Sequence, residues 1–210
     1  MKKTLLLLSL ILLTNQLFSQ ETTKLKKGFI GISFGPSIHT GPGFYPTITT
    51  APGAPFPNDI PGFDRNDIFL SLNLIDGGYT FNKKWGVAFK LQGSAFSKKM
   101  NQNELAMNFA MLMIGPMYSI ELDEKITLDF KTRLGAMFTG IKFEEMKNGF
   151  LLIEEFENYN LGMELGASLR YHIAPKWSWI NNLEFQNQFG EKNDFKISNV
   201  NITTGIGFRF

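Results

Sequence analysis

Residues that could do chemistry are few in this sequence. Its 210 residues include two histidines and no cysteine, which excludes thiol catalysis and disulfide bonds. Ser37 and His39 lie two positions apart, so they share one face of an extended strand. A serine nucleophile needs a base within about 2.6–3.2 Å that a third group orients. Asp59, Asp64 and Asp67 are near in sequence, but nothing fixes their positions, so we predict no catalytic residues.

Metal chemistry has equally little support. His172 has no second histidine at ligand spacing, so we interpret it as a hydrogen-bonded residue and predict no transition-metal site. The acidic segment 144–157 allows three interpretations: a solvated charged loop, carboxylates that recruit Ca²⁺ or Mg²⁺, or a hairpin that binds partners by strand-edge pairing. The solvated loop is our expectation, and no cofactor is predicted.

The N-terminus predicts export. Lys2 and Lys3 precede an apolar run of about ten residues, which is too short to cross a bilayer but suits the core of a signal peptide. Without those two lysines the chain carries 19 basic and 19 acidic residues, so it offers no basic footprint for nucleic acid. The predicted parts are a signal peptide at 1–19, cleaved after Ser19 or Gln20, a short segment at 20–26 and one domain at 27–210.

From residue 27 onward, apolar and polar residues alternate with period two. In "VNITTGIGFRF", which ends the sequence, Val200, Ile202 and Ile206 lie on one face, whereas Asn201 and Arg209 lie on the other. No apolar run after the leader approaches the ~20 residues of a membrane helix. The pattern predicts eight strands, at 27–39, 67–81, 85–98, 106–122, 126–142, 159–173, 177–189 and 196–210.

Connection lengths alternate as well. Tight polar turns are predicted at 82–84, 123–125 and 174–176, whereas four longer loops include 40–66 and 142–158. Short turns at one rim and long loops at the other are typical of an all-β, up-and-down, antiparallel outer-membrane barrel whose turns face the periplasm. Because the number of strands is even, both mature termini are expected at the periplasmic rim.

One strand changes phase along its length. In "FLSLNLIDGGYTF", Leu72 has one parity and Tyr79 has the other. The pair Gly77 and Gly78 lies between them, so we predict a β-bulge at these glycines.

Alternation alone does not decide which face meets lipid, because a soluble lipocalin-type barrel points its apolar residues inward. Strand length favours lipid outside: residues 161–173 alternate for longer than a soluble core needs, and ~10 tilted residues span the ~25 Å lipid-facing band. The positions of the aromatic residues are a second feature that favours a membrane barrel. These residues gather beside the short turns, as in an interfacial girdle. They are Tyr79, Phe81, Trp85, Tyr118, Tyr171, Trp177 and Trp179.

The polar face is the third feature that favours a membrane barrel. It is rich in glycine and in charges of both signs, and a narrow eight-stranded lumen must be filled by side chains. Buried charges are tolerated when they are paired. The predicted lumen network consists of Lys90, Glu121, Asp129, Lys131, Arg133, Glu164, Arg170, Glu184 and Arg209.

Four stretches carry a family resemblance: "GFIGISFGPS", "GYTFNKKWGV", "IGPMYSIELDEKITLDF" and "GIGFRF". Over about residues 27–210 the chain resembles the OmpA/OmpX-like eight-stranded barrels, in particular the PorT-like outer membrane protein beta-barrel domain group of Bacteroidetes type. The resemblance implies that Ile206, Phe208 and Phe210 form the signal that the barrel-assembly machinery reads. The sequence ends without the peptidoglycan-binding domain of full-length OmpA proteins, so cell-wall anchoring is not expected.

These observations predict a Gram-negative outer-membrane protein that is not an enzyme. Its expected role is structural or adhesive: four long loops presented at the cell surface above a lumen plugged by side chains. The expected partners are outer-membrane lipids, the assembly machinery, and a surface protein or glycan bound through the loops. The alternatives are a lipid-modifying hydrolase or acyltransferase that uses rim residues, and an accessory component of protein secretion.

Overall fold

Eight antiparallel strands form the described part of the chain. The computed structural model describes residues 26–43, 62–100, 103–147, 150–190 and 196–210. The predicted signal peptide therefore lies outside the described residues. The strands are β1 (Gly28–His39), β2 (Ile68–Thr80), β3 (Trp85–Met100), β4 (Asn103–Glu121), β5 (Ile126–Lys147), β6 (Phe150–Ala174), β7 (Trp177–Gln188) and β8 (Ser198–Arg209).

The sheet closes on itself as an up-and-down barrel. Each strand pairs with its neighbour in sequence, and β1 pairs with β8 from Phe29 opposite Arg209 to His39 opposite Asn199. Gly28 and Phe210 exchange two backbone hydrogen bonds of 3.0 Å, which hold the two ends of the sheet together. The predicted fold, a closed eight-stranded antiparallel barrel, is confirmed.

Side chains shape two of the tight turns. Asn82 Oδ1 accepts hydrogen bonds from the backbone N–H groups of Lys84 (2.9 Å) and Trp85 (2.7 Å). Asp123 Oδ1 does the same for Lys125 (2.6 Å) and Ile126 (2.7 Å). Asn and Asp favour such turns because their short side chains reach the backbone two or three residues ahead. These contacts explain why "NKK" and "DEK" reverse the chain so tightly.

The prediction of four long loops was wrong for two of them. β3 runs on to Met100 and β4 begins at Asn103, so only two residues separate these strands. β5 extends to Lys147 and β6 begins at Phe150, so most of the predicted loop at 142–158 is paired strand. The segment "FEEMKNGFLLIEEFEN" mixes charged and apolar residues without strict alternation. Its high charge therefore indicated a loop, although its backbone pairs as two strands. In the two remaining loops, residues 44–61 and 191–195 lie outside the described residues.

The bulge in β2 lies before the glycine pair, which corrects the predicted position. The pairing register shifts between Asn73 and Ile75, so Leu74 is the extra residue. Before the bulge, odd-numbered residues such as Asn73 face the lumen. After the bulge, even-numbered residues such as Asp76 face it. The bulge therefore changes which parity points inward and brings an acidic side chain into the barrel.

The outer surface of the barrel is apolar. Large hydrophobic side chains are exposed along every strand, for example Phe34, Leu70, Leu112, Leu134 and Ile202. A soluble barrel would bury this set, so the arrangement places lipid outside, as in outer-membrane barrels. No helix that is long and apolar enough to cross a bilayer occurs among residues 26–43, 62–100, 103–147, 150–190 and 196–210.

Aromatic side chains ring the end of the barrel that carries the tight turns. Trp85 packs against Tyr118 with ring centroids 4.9 Å apart, and Trp177 packs against Phe208 at 5.4 Å. Amphipathic rings at this level suit the boundary between lipid and water. The other predicted girdle residues, which are also exposed, are Tyr79, Phe81, Tyr171 and Trp179.

Candidate functional site

A buried ionic layer fills the half of the lumen nearer the tight turns. Arg133 is its centre: its guanidinium contacts Asp76 (2.9 Å), Glu164 (Nε to Oε1, 2.6 Å) and Glu184 (2.9 Å). Lys131 contacts Asp76 at 3.0 Å, and Lys90 contacts both glutamates. The layer thus contains three acidic and three basic side chains, all buried, so each charge is compensated inside the barrel.

Sequence reasoning missed Asp76 in this layer. The bulge at Leu74 turns it inward, and the phase slip of the strand was the signal that could have revealed it. Lys90, Lys131 and Arg133 would otherwise face only two acids. The backbone irregularity therefore completes the charge balance of the lumen.

A second ion pair lies below the first layer. Arg170 donates two hydrogen bonds to Asp129, from Nε at 2.6 Å and from Nη2 at 2.9 Å. Two cations of this region flank the ring of Phe29, with Arg170 4.2 Å and Lys131 5.3 Å from its centroid. A buried aromatic face attracts such cations, so Phe29 joins the two ionic groups into one packed plug.

Two predicted members of the network lie outside it. Glu121 was predicted to face the lumen, but its side chain is exposed because β4 ends there. Arg209 is only partly buried, and its Nε has no hydrogen-bond partner among the described residues. Both residues lie at the rim of the barrel, where the ladder ends and water can solvate a charge.

An apolar layer occupies part of the other half of the lumen, together with buried polar side chains such as Gln186 and Asn199, so the interior is less polar than predicted. Its members belong to β2, β3, β4 and β5, together with two residues that precede β2 and β8. The apolar layer consists of Phe63, Phe69, Phe96, Leu105, Met107, Phe109, Met111, Met113, Met137, Ile141, Phe143 and Ile197. The methionines of "AMNFAMLM" were the sequence signal, because unbranched side chains fill irregular gaps in a core.

Ser37 and His39 do not form a nucleophile and a base. The two ring nitrogens of His39 lie 3.1 Å from Asn199 Oδ1 and 2.9 Å from the carbonyl oxygen of Pro42. Ser37 Oγ is buried and has no hydrogen-bond partner among the described residues. His39 also packs edge-on against Phe63, at 5.8 Å between centroids. The geometry therefore makes His39 a cap on the apolar layer.

His172 closes the lumen at the opposite rim. Its Nε2 lies 3.0 Å from Thr127 Oγ1 and its Nδ1 lies 2.9 Å from Ser178 Oγ. Both nitrogens are thus engaged by hydroxyl groups. Within the described part of the chain, no three His, Asp, Glu or Cys side chains are grouped so that they could hold a metal ion.

Four strands continue beyond the rim at the end with the longer connections. The protruding sheet consists of residues 96–100 of β3, 103–107 of β4, 141–147 of β5 and 150–161 of β6. β2 pairs with β3 only up to Ala95, and β7 pairs with β6 only from Gly162, so neither neighbour extends this far.

The two edges of the protruding sheet differ. The β3 edge is covered by the segment before β2, since Lys98 Nζ lies 3.5 Å from the carboxylates of Asp64 and Asp67. The β6 edge is the side of the strand that faces β7. There, Phe189 N donates to Leu161 O (2.8 Å), and within the described residues no backbone pairs with this side of β6 before Leu161. Backbone groups alternate in direction along a strand, so Tyr159 and Glu157 point their N–H and C=O groups to this open edge.

The predicted assembly signal lies at the seam between β8 and its neighbours. Ile206 and Phe210 are exposed, and Phe208 is partly buried against Trp177. The Phe210 ring occupies the space beside Gly28, where an added Cβ would collide with a ring carbon. The structure thus places all three side chains on the outer surface of the closing strand.

Comparison with known proteins shows that this chain resembles solved structures in its fold. No family model and no curated protein sequence matches the chain. Among solved structures, Ail, the attachment invasion locus protein of Yersinia pestis, superposes with a TM-score of 0.50 at 18% identity, over 88% of this chain and 99% of that one. A complex of Ail with the heparin analogue sucrose octasulfate gives 0.51 at 18% identity, with the same coverage. A major outer membrane protein from Thermus thermophilus gives 0.52 at 10% identity, over 89% and 100% of the two chains.

The chain thus has the fold of bacterial outer-membrane barrels, and its apolar outer wall suits that location. The predicted outer-membrane localisation is confirmed at this level. The narrower PorT-like, Bacteroidetes-type assignment stays a prediction.

Proposed function

We propose that this protein is a non-conducting outer-membrane barrel that binds a partner polypeptide at the cell surface through the β6 edge of the protruding sheet. Among the described residues, no backbone pairs with Glu157 or Tyr159 on the side of β6 that faces β7, and this open edge is the observation that carries the proposal. Unpaired backbone groups in a row are a template for a further strand, and main-chain hydrogen bonds supply affinity in such complexes.

The barrel supplies a rigid base for this edge. β5 pairs with β6 without a break from Ile126 opposite Tyr171 to Lys147 opposite Phe150. The ionic and apolar layers pack the lumen beneath, so the position of the edge is set by a filled core. A preorganised edge loses little conformational entropy when a partner strand docks, which favours binding.

Charge favours a polypeptide over a sulfated glycan. In the protruding sheet and its turns, the sequence carries Glu104, Glu144, Glu145, Glu154, Glu155 and Glu157 against Lys98, Lys99, Lys142 and Lys147. This excess of acidic residues repels a polyanion such as heparin. The Ail complex with a heparin analogue is therefore not a guide to the ligand class of this chain.

Two further partners belong to this proposal. Outer-membrane lipids surround the apolar wall, and the barrel-assembly machinery reads Ile206, Phe208 and Phe210 on the outer surface of β8. A lipid-modifying activity at Ser37 and His39 has no support from the geometry, because the two side chains are not hydrogen-bonded to each other.

Binding of cells that display the protein tests the proposal. Attachment is measured on plates coated with extracellular-matrix protein or with heparin, for the wild type and for Tyr159→Pro, which removes one N–H from the open edge. We expect attachment to at least one protein coat, loss of that attachment in the variant, and none to heparin. Ile202→Ala on the lipid-facing wall is the control and should attach as the wild type does. Attachment to heparin alone, or a Tyr159→Pro variant that binds as the wild type does, would contradict the proposal.

A further inference from the structure

The outer wall of the barrel contains a groove across β4, β5 and β6. Its volume is 570 Å³, which lies within the ~300–1,000 Å³ typical of small-molecule sites. The outward-facing residues that line it are Asn108, Ala110, Phe138, Gly140, Glu157 and Tyr159. Cross-strand pairing places them in two rows, with Asn108, Gly140 and Glu157 above Ala110, Phe138 and Tyr159.

The groove is apolar at its lower end. The rings of Phe138 and Tyr159 pack together, with centroids 4.7 Å apart, and form one wall. Ala110 forms the floor beside them, and on its other side a Cβ added at Gly93 would meet no atom within 4 Å. Small side chains beside an aromatic wall leave a trough that an acyl chain can fill.

The groove also lies at the boundary of the lipid band. Along the outer face of β5, Phe130, Leu134 and Phe138 are exposed and apolar, and then Lys142 and Glu144 follow Gly140 as an ion pair with a 2.7 Å contact. The change from apolar to charged residues marks the level where headgroups replace acyl chains. The lower row therefore lies at the upper limit of the hydrocarbon, and the upper row lies among the headgroups.

We propose that this groove is a binding site for a phospholipid with a primary-amine headgroup, of the ethanolamine type. One acyl chain lies over Ala110 beside Phe138, and the ammonium group donates hydrogen bonds to the Glu157 carboxylate and to the amide oxygen of Asn108. An ammonium supplies the donors and the positive charge that these acceptors need. A quaternary choline headgroup has no donor, and an anionic glycerol headgroup is repelled by Glu157. The site uses the side chains of Glu157 and Tyr159, whereas the polypeptide edge proposed above uses their backbone groups, so either proposal can fail without the other.

Native mass spectrometry of the intact barrel released from detergent micelles tests the site. The protein is mixed with equal amounts of phosphatidylethanolamine, phosphatidylcholine and phosphatidylglycerol that carry the same acyl chains. We expect the ethanolamine lipid to bind about fivefold more than either other lipid, which corresponds to the net contribution of one ordinary hydrogen bond. Glu157→Gln is expected to reduce this preference to about twofold or less.

Variants of the floor separate the groove from general lipid contact. Ala110→Trp fills the groove and is expected to abolish the preference, and Ala110→Leu makes the same test with a smaller side chain if the first variant does not fold. Ile202→Trp on β8, four strands away from β4, adds an equal aromatic side chain to the lipid-facing wall and should leave binding unchanged. Heat-modifiable gel migration shows which variants fold.

Three results would overturn the site. They are equal binding of the three lipids, preference for the anionic lipid, and an unchanged preference in folded Ala110→Trp or Ala110→Leu. A dimer mass without bound lipid would also overturn it, in favour of a second copy of the chain as the occupant.

Discussion

At the scale of single residues, the lumen shows why charge can be buried inside a narrow barrel. Arg133 meets a carboxylate on three sides, and Lys131 reaches Asp76 at 3.0 Å. Removing one partner from such a group leaves an uncompensated charge away from water, which costs far more than the loss of an exposed pair. The free-energy cost of separating these buried ion pairs therefore holds the side chains of the lumen in one arrangement.

The first prediction compares one substitution at two lysines. Lys131→Met leaves Asp76 short of a partner inside the barrel, and we expect it to lower the free energy of unfolding by about 3–5 kcal/mol. Lys98→Met removes the 3.5 Å contacts to Asp64 and Asp67 at the surface and should cost at most ~1 kcal/mol. Urea titration in phospholipid vesicles, followed by tryptophan fluorescence, measures both values. Equal losses would show that the buried layer is not a coupled network.

The second prediction concerns His39. His39→Ala should leave the masses of the membrane lipids unchanged on expression, because neither ring nitrogen of His39 bonds to Ser37 Oγ. Lipid mass spectrometry of membranes from cells that express the wild type or the variant measures this. A lipid modification seen with the wild type and lost in the variant would restore the alternative of a lipid-modifying enzyme.

The sequence alone predicted which charged side chains face the lumen in regular strands, but not where a strand is irregular. Lys90, Arg133 and Glu164 could be assigned to the inner face because alternation continues through their strands. Asp76 could not, since a bulge exchanges the two faces without a fixed sequence signature. The apolar layer was missed because a lumen lined by Met and Phe and an outer wall of Leu and Ile have the same hydrophobicity.

At the scale of elements, two features of the strands shape the barrel: bulges decide which face of a strand meets the lumen, and strand length decides how far the sheet extends. A regular strand such as β5 holds one parity inward over its whole length, whereas β2 contains one extra residue and changes parity at Leu74. Length is the second feature: β5 has 22 residues and β6 has 25, and both strands continue beyond the rim of the barrel. Sequence reasoning found the tight turns from their Asn and Asp residues, but it took the charged extension of β5 and β6 for a loop.

The third prediction tests the bulge by deletion. Removal of Leu74 takes out the extra residue, so Asn73 and Asp76 both keep their inward positions and the barrel is expected to fold. Removal of Leu134 from the regular strand β5 turns every later side chain to the opposite face, and we expect no folded barrel. Heat-modifiable gel migration compares these two deletions of lipid-facing leucines. Failure of both would assign the bulge an essential role in the shape of the wall.

At the scale of the whole molecule, the barrel is a solid column rather than a tube. An ionic layer and an apolar layer are stacked within it, and residues from the longer connections, Phe63 and Ile197, cover the upper one. Eight strands enclose a space that side chains can fill. The molecule therefore presents its surfaces, not its interior, to other molecules.

The fourth prediction follows from the filled lumen. In planar lipid bilayers the purified protein should show no steady single-channel current, because the buried charges around Arg133 and the apolar layer pack the lumen of the described barrel. A large porin inserted in the same membrane shows that a current can be detected. A stable conductance from the eight-stranded protein alone would contradict this account of the core.

The seam between β1 and β8 has a consequence for the biogenesis of the molecule. Ser33 and Thr203, which meet across that seam, are 170 positions apart. Loop closure over such a span is slow, and until it happens both outermost strands offer unsatisfied amides to any neighbour. Before β1 meets β8, the unclosed sheet is therefore a template to which a second copy of the chain can add by strand pairing. Correct folding requires that copies be kept apart until this seam has formed.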